Sequence, residues 1–246
     1  MSPLPVALVL FAGQSNALGY GNDGPAPYTP TPRVQIWTDL NRNGAWDRGD
    51  GFAAMAPGRN TGTPRNPRAW GPEVAFAKAW LAAHPKGTLY VGKVARGSTA
   101  LARNDGLDWS PQSRGELFDA ARTVSAGMRA RLARPRLDAV FWMQGEEDAT
   151  RPTWAAAYRV NLQGLLAAAR AQWMNDPRGY VGLGRIAAPA VPHSRDVRAA
   201  QAAVDRADTH AESFDTAGFV LRSDRLHYAA SGQLALGQAF YDRWAR

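Results

Sequence analysis

The chain contains no cysteine. That excludes disulfides and a thiolate nucleophile, and leaves only oxygen or histidine to hold any metal. Long apolar runs are also missing, and none approaches the length needed to cross a bilayer. The single candidate leader, residues 4–12, has no basic stretch ahead of it and runs straight into a polar cluster. It reads as a strand, so the chain is expected to be intracellular or a mature form whose leader was removed, with compartment and oligomeric state undetermined. A block of positive charge is lacking too, although the net charge is +8. The arginines stand singly along helical stretches, as at Arg122, Arg129, Arg131, Arg134, Arg136 and Arg170. Such spacing fits solvated helix faces, and neither a nucleic acid nor a membrane is expected as partner.

What is present suffices for a sizeable core, since 45% of the 246 residues are apolar. No repeat, low-complexity tract or linker divides the chain, so residues 1–246 are expected to form one domain. Apolar runs at residues 5–12, 34–37, 89–95, 138–143, 179–186 and 218–221 read as strands. Between them, Trp70-Gly71-Pro72 opens a helix, and Ser113 with Glu116 makes a capping box ahead of Leu117, Ala121, Val124, Met128 and Leu132. Trp154, Tyr158, Leu162, Leu165, Ala169 and Trp173 mark a long amphipathic helix whose aromatics belong to the core. Further helices follow from His193 and around Leu234, Phe240 and Trp244. Strands alternate with helices, which predicts an α/β fold with a central parallel sheet between two helical layers.

Several strands end in polar turns. Gly13-Gln14-Ser15-Asn16 follows the first, Arg96-Gly97-Ser98-Thr99 the strand at 89–95, and Gln144-Gly145-Glu146-Glu147-Asp148 the strand at 138–143. By itself the first cluster is an ordinary turn. In an open α/β sheet, however, such turns converge on one rim, where ligands bind. A serine there becomes a nucleophile only with a base, and histidine suits that task when an acid fixes its tautomer. Asp224 and His227, three apart on a turn, can meet that geometry locally. Of the other three histidines, His84 reads as a surface helix cap, and His193 and His210 have no obvious acid partner.

Gly13-Gln14-Ser15-Asn16, Gly97-Ser98-Thr99, Trp142-Met143-Gln144-Gly145-Glu146 and Asp224-Arg225-Leu226-His227 together resemble the sequence blocks of the SGNH hydrolase superfamily. More closely, they resemble its sialate O-acetylesterase and acetyl xylan esterase group, carbohydrate esterase family six. The resemblance implies a three-layer α/β/α, flavodoxin-like fold and a serine esterase that removes O-acetyl groups from carbohydrates through an acyl-enzyme, with an acetylated glycan as partner. It implies Ser15 as nucleophile, His227 as base and Asp224 as orienting acid. It also implies an oxyanion hole from the amides of Ser15 and the Gly97 turn and the side chain of Gln144, with no cofactor required. Gln14, Asn16 and Glu146 are expected to brace the site. One departure is Gly97-Ser98-Thr99, where the family shows Gly-Gly-Thr; this leaves open which amide of the turn faces the oxyanion.

The stretch from residue 38 to 68 has no periodicity. Within it Asp39, Asn41, Asn43, Gly44, Asp47 and Asp50 fall at positions 1, 3, 5, 6, 9 and 12 of the calcium-loop template. A structural calcium held by Asp39, Asn41, Asn43, Asp47 and Asp50 is one reading of this stretch, and a polar, glycine-bearing turn is the other. Two alternatives to the esterase also stay open: a lipid or thioester hydrolase on the same scaffold, and a carbohydrate-binding protein without turnover. Arg96, Arg103 and Arg151 lie near the expected rim, where they could meet an acidic sugar.

Overall fold

The computed structural model describes residues 5–47 and 49–246. The first apolar run forms β1 (Val6–Gly13), buried from Ala7 onward. It is flanked on both sides by parallel partners, β4 (Thr88–Ala95) and β5 (Ala139–Met143). Having sheet neighbours and helices all round, these strands carry near-continuous apolar residues. β2 (Val34–Thr38) and β3 (Gly51–Ala54) extend the sheet beyond β4, and β6 (Tyr180–Arg185) and β7 (Ala211–Asp215) extend it beyond β5. Among the described residues seven strands stand in the order β3-β2-β4-β1-β5-β6-β7, with only the β2–β3 pair antiparallel.

Alternation along the strands separates two helical layers. Phe11 and Phe141 meet Phe76 of α2 (Glu73–Ala83) and Phe240 of α6 (Ala230–Trp244), and these two helices pack on each other. One residue on, Trp142 turns the other way, toward Trp109 and Tyr158. Tyr158 belongs to α4 (Pro152–Ala169), which packs beside α5 (Ser194–Ala207) and continues as a π-helical turn, Arg170–Met174, against α3 (Leu117–Arg131). The expected three-layer α/β/α architecture is therefore present.

Three local expectations change. The last strand is β7, earlier than residues 218–221, where Leu221 makes only an isolated bridge to Tyr228. β7 is an edge strand paired on one side, so its polar Glu212 and Asp215 are tolerated, and they hid it from a search for apolar runs. The antiparallel β3 lies inside the stretch without periodicity, where four residues are too few to show alternation. No capping box forms at Ser113: α3 starts after Glu116, whose carboxylate instead accepts the backbone N–H of Asp108 at 2.6 Å.

A buried ion pair props the start of the site. Lys93 on β4 donates to Glu73 at 3.0 Å, both side chains having no exposure, and also to the carbonyl of Leu18 at 2.7 Å. Leu18 closes the single helical turn α1 (Ser15–Leu18). Burial pushes the Glu73 carboxyl up and the Lys93 ammonium down, while each charge opposes the shift of the other. Lys93→Met leaves Glu73 and the Leu18 carbonyl without their partner, and is expected to cost about 3–5 kcal/mol, read as a lower urea midpoint. The double variant Lys93→Met/Glu73→Gln is expected to recover part of that loss.

Candidate functional site

The order in which strands are added switches sides at β1, with β2 and β4 to one side and β5 to the other, so the turns after β1, β4 and β5 open a crevice at one rim. Gly13 ends β1 at φ 142°, and a Cβ there would stand 2.0 Å from the carbonyl oxygen of Met143. Only glycine permits so close an approach of the two strand ends. Ser15 follows as the first residue of α1, and a helix start leaves its backbone N–H without an intrahelical acceptor. At the end of β4, a Cβ on Gly97 would lie 3.6 Å from that of Ser15, so this turn faces the serine. Ser98 holds the left-handed conformation (φ 54°), which costs a non-glycine residue about 1–2 kcal/mol. The serine that replaces a glycine in the second block thus sits where a glycine would be unstrained.

The loop between β7 and α6 brings in the other two groups. The Leu221–Tyr228 bridge and the bond from the Arg222 N–H to the His227 carbonyl at 2.7 Å close it. His227 Nε2 lies 3.0 Å from Ser15 Oγ, and its Nδ1 lies 2.8 Å from Asp224 Oδ2. The other oxygen of Asp224 accepts the N–H groups of Leu226 and His227, at 2.9 and 3.0 Å. Burial would raise the Asp224 carboxyl, but the backbone and ring of His227 and the Leu226 N–H outweigh it and hold the group at about 2. A permanently ionised carboxylate thus orients the imidazole toward a serine hydroxyl. This is the arrangement by which a base takes a hydroxyl proton.

Asn16 joins the two ends of the chain. Its amide nitrogen donates to Glu146 Oε1 at 2.7 Å and to the Leu226 carbonyl at 3.0 Å, while its oxygen accepts the Tyr228 N–H at 3.0 Å. Gln14 accepts the N–H groups of Gly145 and Glu147. Glu146 is buried, and its second oxygen has no partner. Burial, aided by the charge of Asp148, raises its carboxyl to about 7 against the bond from Asn16.

Gln144 is placed otherwise than expected. Its side chain is fully buried, and its amide nitrogen donates to the Thr99 carbonyl at 3.0 Å and to Asp148 at 2.7 Å. With both hydrogens committed, it braces the Gly97 turn from below and has no hydrogen left for an oxyanion. Asp148, not singled out in the sequence, also accepts the N–H groups of Leu101 and Ala102, and burial raises it to about 6. The acidic run after β5 was its only signal. Tyr20 was missed as well: half-exposed, it packs tilted against the His227 ring, with ring centroids 4.6 Å apart.

Other candidates fall elsewhere. His84 caps α2 through the Trp80 carbonyl. His193 does find an acid, Asp196 at 3.4 Å, but this is an exposed pair at the start of α5, and His210 is half-buried beside Asp208. The loop holding Asp39, Asn41, Asn43, Asp47 and Asp50 joins β2 to β3, with β4 between it and β1. Asp39 accepts the N–H groups of Asn43 and Gly44, and Asp47 accepts the amides of Asn41 and Asn43. Among the described residues no three carboxylate or imidazole groups are placed to hold one metal ion. One observation does fit a cation: Asp50 Oδ1 is buried without a hydrogen-bond partner, and burial together with Asp47 and Asp39 raises that carboxyl to about 6.

The family model for the carbohydrate esterases described as sialic acid-specific acetylesterases matches residues 5–246. Among solved structures, a protein from Arabidopsis thaliana is 21% identical with a TM-score of 0.78, over 97% of this chain and 98% of that one. NanS is 15% identical with a TM-score of 0.68, over 100% and 99%. A carbohydrate acetylesterase from Xanthomonas citri is 16% identical with a TM-score of 0.67, over 96% of this chain and 55% of that one. At these identities the likeness is one of fold. No curated protein sequence matches the chain. Among the described residues no helix is long and apolar enough to cross a membrane.

Glu146 supplies a test of this buried network. Its folded carboxyl binds a proton more tightly than in the unfolded chain, so its stabilising effect is full below the ordinary carboxylate range and is lost as pH climbs toward 7. Glu146→Gln keeps an acceptor for Asn16 and removes that loss. Thermal and urea unfolding should show it more stable than the parent at pH 8, by up to about 3 kcal/mol, with the difference shrinking toward pH 5.

Proposed function

Because the chain belongs to the carbohydrate esterase family of sialic acid-specific acetylesterases, we propose that it is a serine esterase that removes O-acetyl groups from a glycan through an acyl-enzyme. The hydrogen-bonded chain from Ser15 through His227 to Asp224 carries this reading.

In the first half-reaction His227 Nε2 takes the Ser15 proton as Oγ bonds to the acetyl carbonyl carbon, and the carbonyl oxygen becomes an oxyanion. The Ser15 N–H, left without an intrahelical acceptor at the start of α1, and an amide of the Gly97 turn that faces it are the donors we assign to that oxygen. Each such donor is worth about 2.7–4 kcal/mol to a tetrahedral intermediate. Gln144 acts one step back, holding Thr99 and with it the turn. As the intermediate collapses, His227 returns the proton to the departing sugar oxygen, leaving acetyl on Ser15. Water then repeats the sequence, with His227 as base, and acetate leaves as Ser15 regains its proton. Asp224 stays ionised throughout, fixing the tautomer and stabilising the imidazolium. Every step draws on side chains and backbone of this chain, and no cofactor enters.

Ser15→Ala and His227→Ala are expected to lower kcat for 4-nitrophenyl acetate by on the order of 10⁴-fold or more, and Asp224→Asn by about 10⁴-fold. Circular dichroism should show all three folded. Preference for long-chain over acetyl esters would favour the lipid hydrolase, and glycan binding without acetate release the silent binder.

We propose that a structural calcium ion would draw Asp39, Asn41, Asn43, Asp47 and Asp50 together from the amide-closed arrangement of the 39–50 loop, with the orphan oxygen of Asp50 as the buried acceptor that the ion would satisfy. Millimolar calcium is expected to raise Tm by several degrees in the parent but not in Asp50→Asn. An unchanged Tm in the parent would leave the loop as an amide-closed turn.

A further inference from the structure

His227 is held to its own turn more firmly than to the serine it faces. Asp224 lies three residues before it, and its Oδ1 accepts the N–H groups of Leu226 and His227 while its Oδ2 meets the ring at 2.8 Å. Acid and base therefore move together, and their bond orients the imidazole relative to the 224–227 turn only. Asn16 ties the backbone of that turn to α1 through the Leu226 carbonyl and the Tyr228 N–H. Neither contact stops the imidazole from swinging about its own side-chain bonds. The Asp224 side chain, 43% exposed, gives it no buried wall to rest on.

Tyr20 supplies such a wall from the side of the nucleophile. α1 ends at Leu18, and Gly19, in the left-handed conformation (φ 85°), turns the chain so that the N–H groups of Gly19 and Tyr20 both donate to the Ser15 carbonyl at 3.0 Å. A Cβ on Gly19 would stand 1.9 Å from the Trp70 carbonyl oxygen, so glycine alone fits that corner. On the other flank the Arg222 guanidinium donates to the Gly21 carbonyl at 2.8 Å, which pins the residue after Tyr20 to the loop of the base. Held on both sides, Tyr20 packs against the imidazole with centroids 4.6 Å and ring planes 40° apart. The contacts close a triangle: Ser15 carbonyl to Tyr20 N–H, Tyr20 ring to His227 ring, and His227 Nε2 to Ser15 Oγ.

We propose that Tyr20 is a positioning residue for the base, holding the His227 imidazole in line with Ser15 Oγ while the serine proton moves. The inference rests on the esterase reading for that proton transfer, and adds to it the residue that ties the side chain of the base to the helical turn of the nucleophile. The contact is made by the ring and needs no hydroxyl. Tyr20 is absent from the walls of the groove that Gly97 shares with Arg96, Arg151 and the half-buried Trp154, so it does not line that space.

The test compares Tyr20→Leu, which keeps apolar bulk without an aromatic face, with Tyr20→Phe, which puts the ring back. Both are assayed on ethyl acetate and on an acetylated sugar, with urea midpoints correcting kcat for any unfolded fraction. Misplacing a reacting group by about 1 Å costs on the order of 10²-fold, so Tyr20→Leu is expected to lower kcat by about 10–100-fold on both esters at little change in KM. Tyr20→Phe is expected to rescue most of that loss. A loss carried by KM and confined to the sugar would make Tyr20 a sugar contact and overturn the positioning role.

Nitrogen-15 spectra of histidine-labelled protein read the same geometry without turnover, with His227 assigned by its absence in His227→Gln. In the parent the Ser15 hydroxyl donates to the neutral ring at Nε2, and Ser15→Ala gives the position of that signal without the bond. In Tyr20→Leu the signal is expected to move toward the Ser15→Ala position, and in Tyr20→Phe to return. Such movement in a protein whose parent hydrolyses no ester would uphold the positioning role and remove the esterase. Ester hydrolysis with kcat and the Nε2 signal both unmoved in Tyr20→Leu would do the reverse.

Discussion

Asn16 spends both amide hydrogens on groups from opposite ends of the chain, the Glu146 carboxylate after β5 and the Leu226 carbonyl beside the base, and its oxygen takes the Tyr228 N–H. The loop carrying Asp224 and His227 leaves β7 at the far edge of the sheet and must return to β1. Nothing local to that loop could set its distance from Ser15. Asn16, one residue along from the nucleophile, measures that distance directly, so the 3.0 Å contact between His227 and Ser15 is inherited from it. The same residue's carbonyl accepts from Gln233 in α6, which ties the following helix to the same point.

Beneath the rim, the polar groups form a buried layer. Gln144 links Thr99 to Asp148, Tyr158 donates to the Gln144 backbone and side chain, and Gln201 reaches the same carbonyl from α5. Buried amides and carboxyls of this kind cost free energy unless paired, and here each strand-end turn supplies partners to the next. The turns after β1, β4 and β5 are thereby locked as one unit. Two carboxylate oxygens stay orphaned in the described residues, the second oxygen of Glu146 under the site and Asp50 Oδ1 in the β2–β3 loop. Burial raises both carboxyls, one under the site and one in the loop that joins β2 to β3.

The architecture was legible because apolar runs and helical periodicity report burial directly. Failures came where burial was one-sided or partial. β7 is a polar edge strand, β3 is four residues long, and Trp154 sits at helical core spacing yet faces a groove. Glu116 follows the capping-box pattern, but a tertiary partner, the Asp108 N–H, outbid the local one. Of the site, Ser15, His227 and Asp224 could be named from residue chemistry and their four blocks. Asp148 and Tyr20 could not, since a buried acceptor and a phenol packed on an imidazole have no distinctive spacing.

Residue order was enough for the layered α/β fold and for the identity of the three groups in the hydrogen-bonded chain. Both rest on features that are written linearly, periodicity in one case and short blocks with scarce residue types in the other. Folding alone decided what Gln144 can donate to, because a side-chain amide has two hydrogens and only the packed structure shows which acceptors take them. It likewise decided that Arg96 and Arg151, 55 positions apart, share a groove with Gly97 while Arg103 does not. Such assignments depend on distances between segments that the chain brings together only when the sheet has formed.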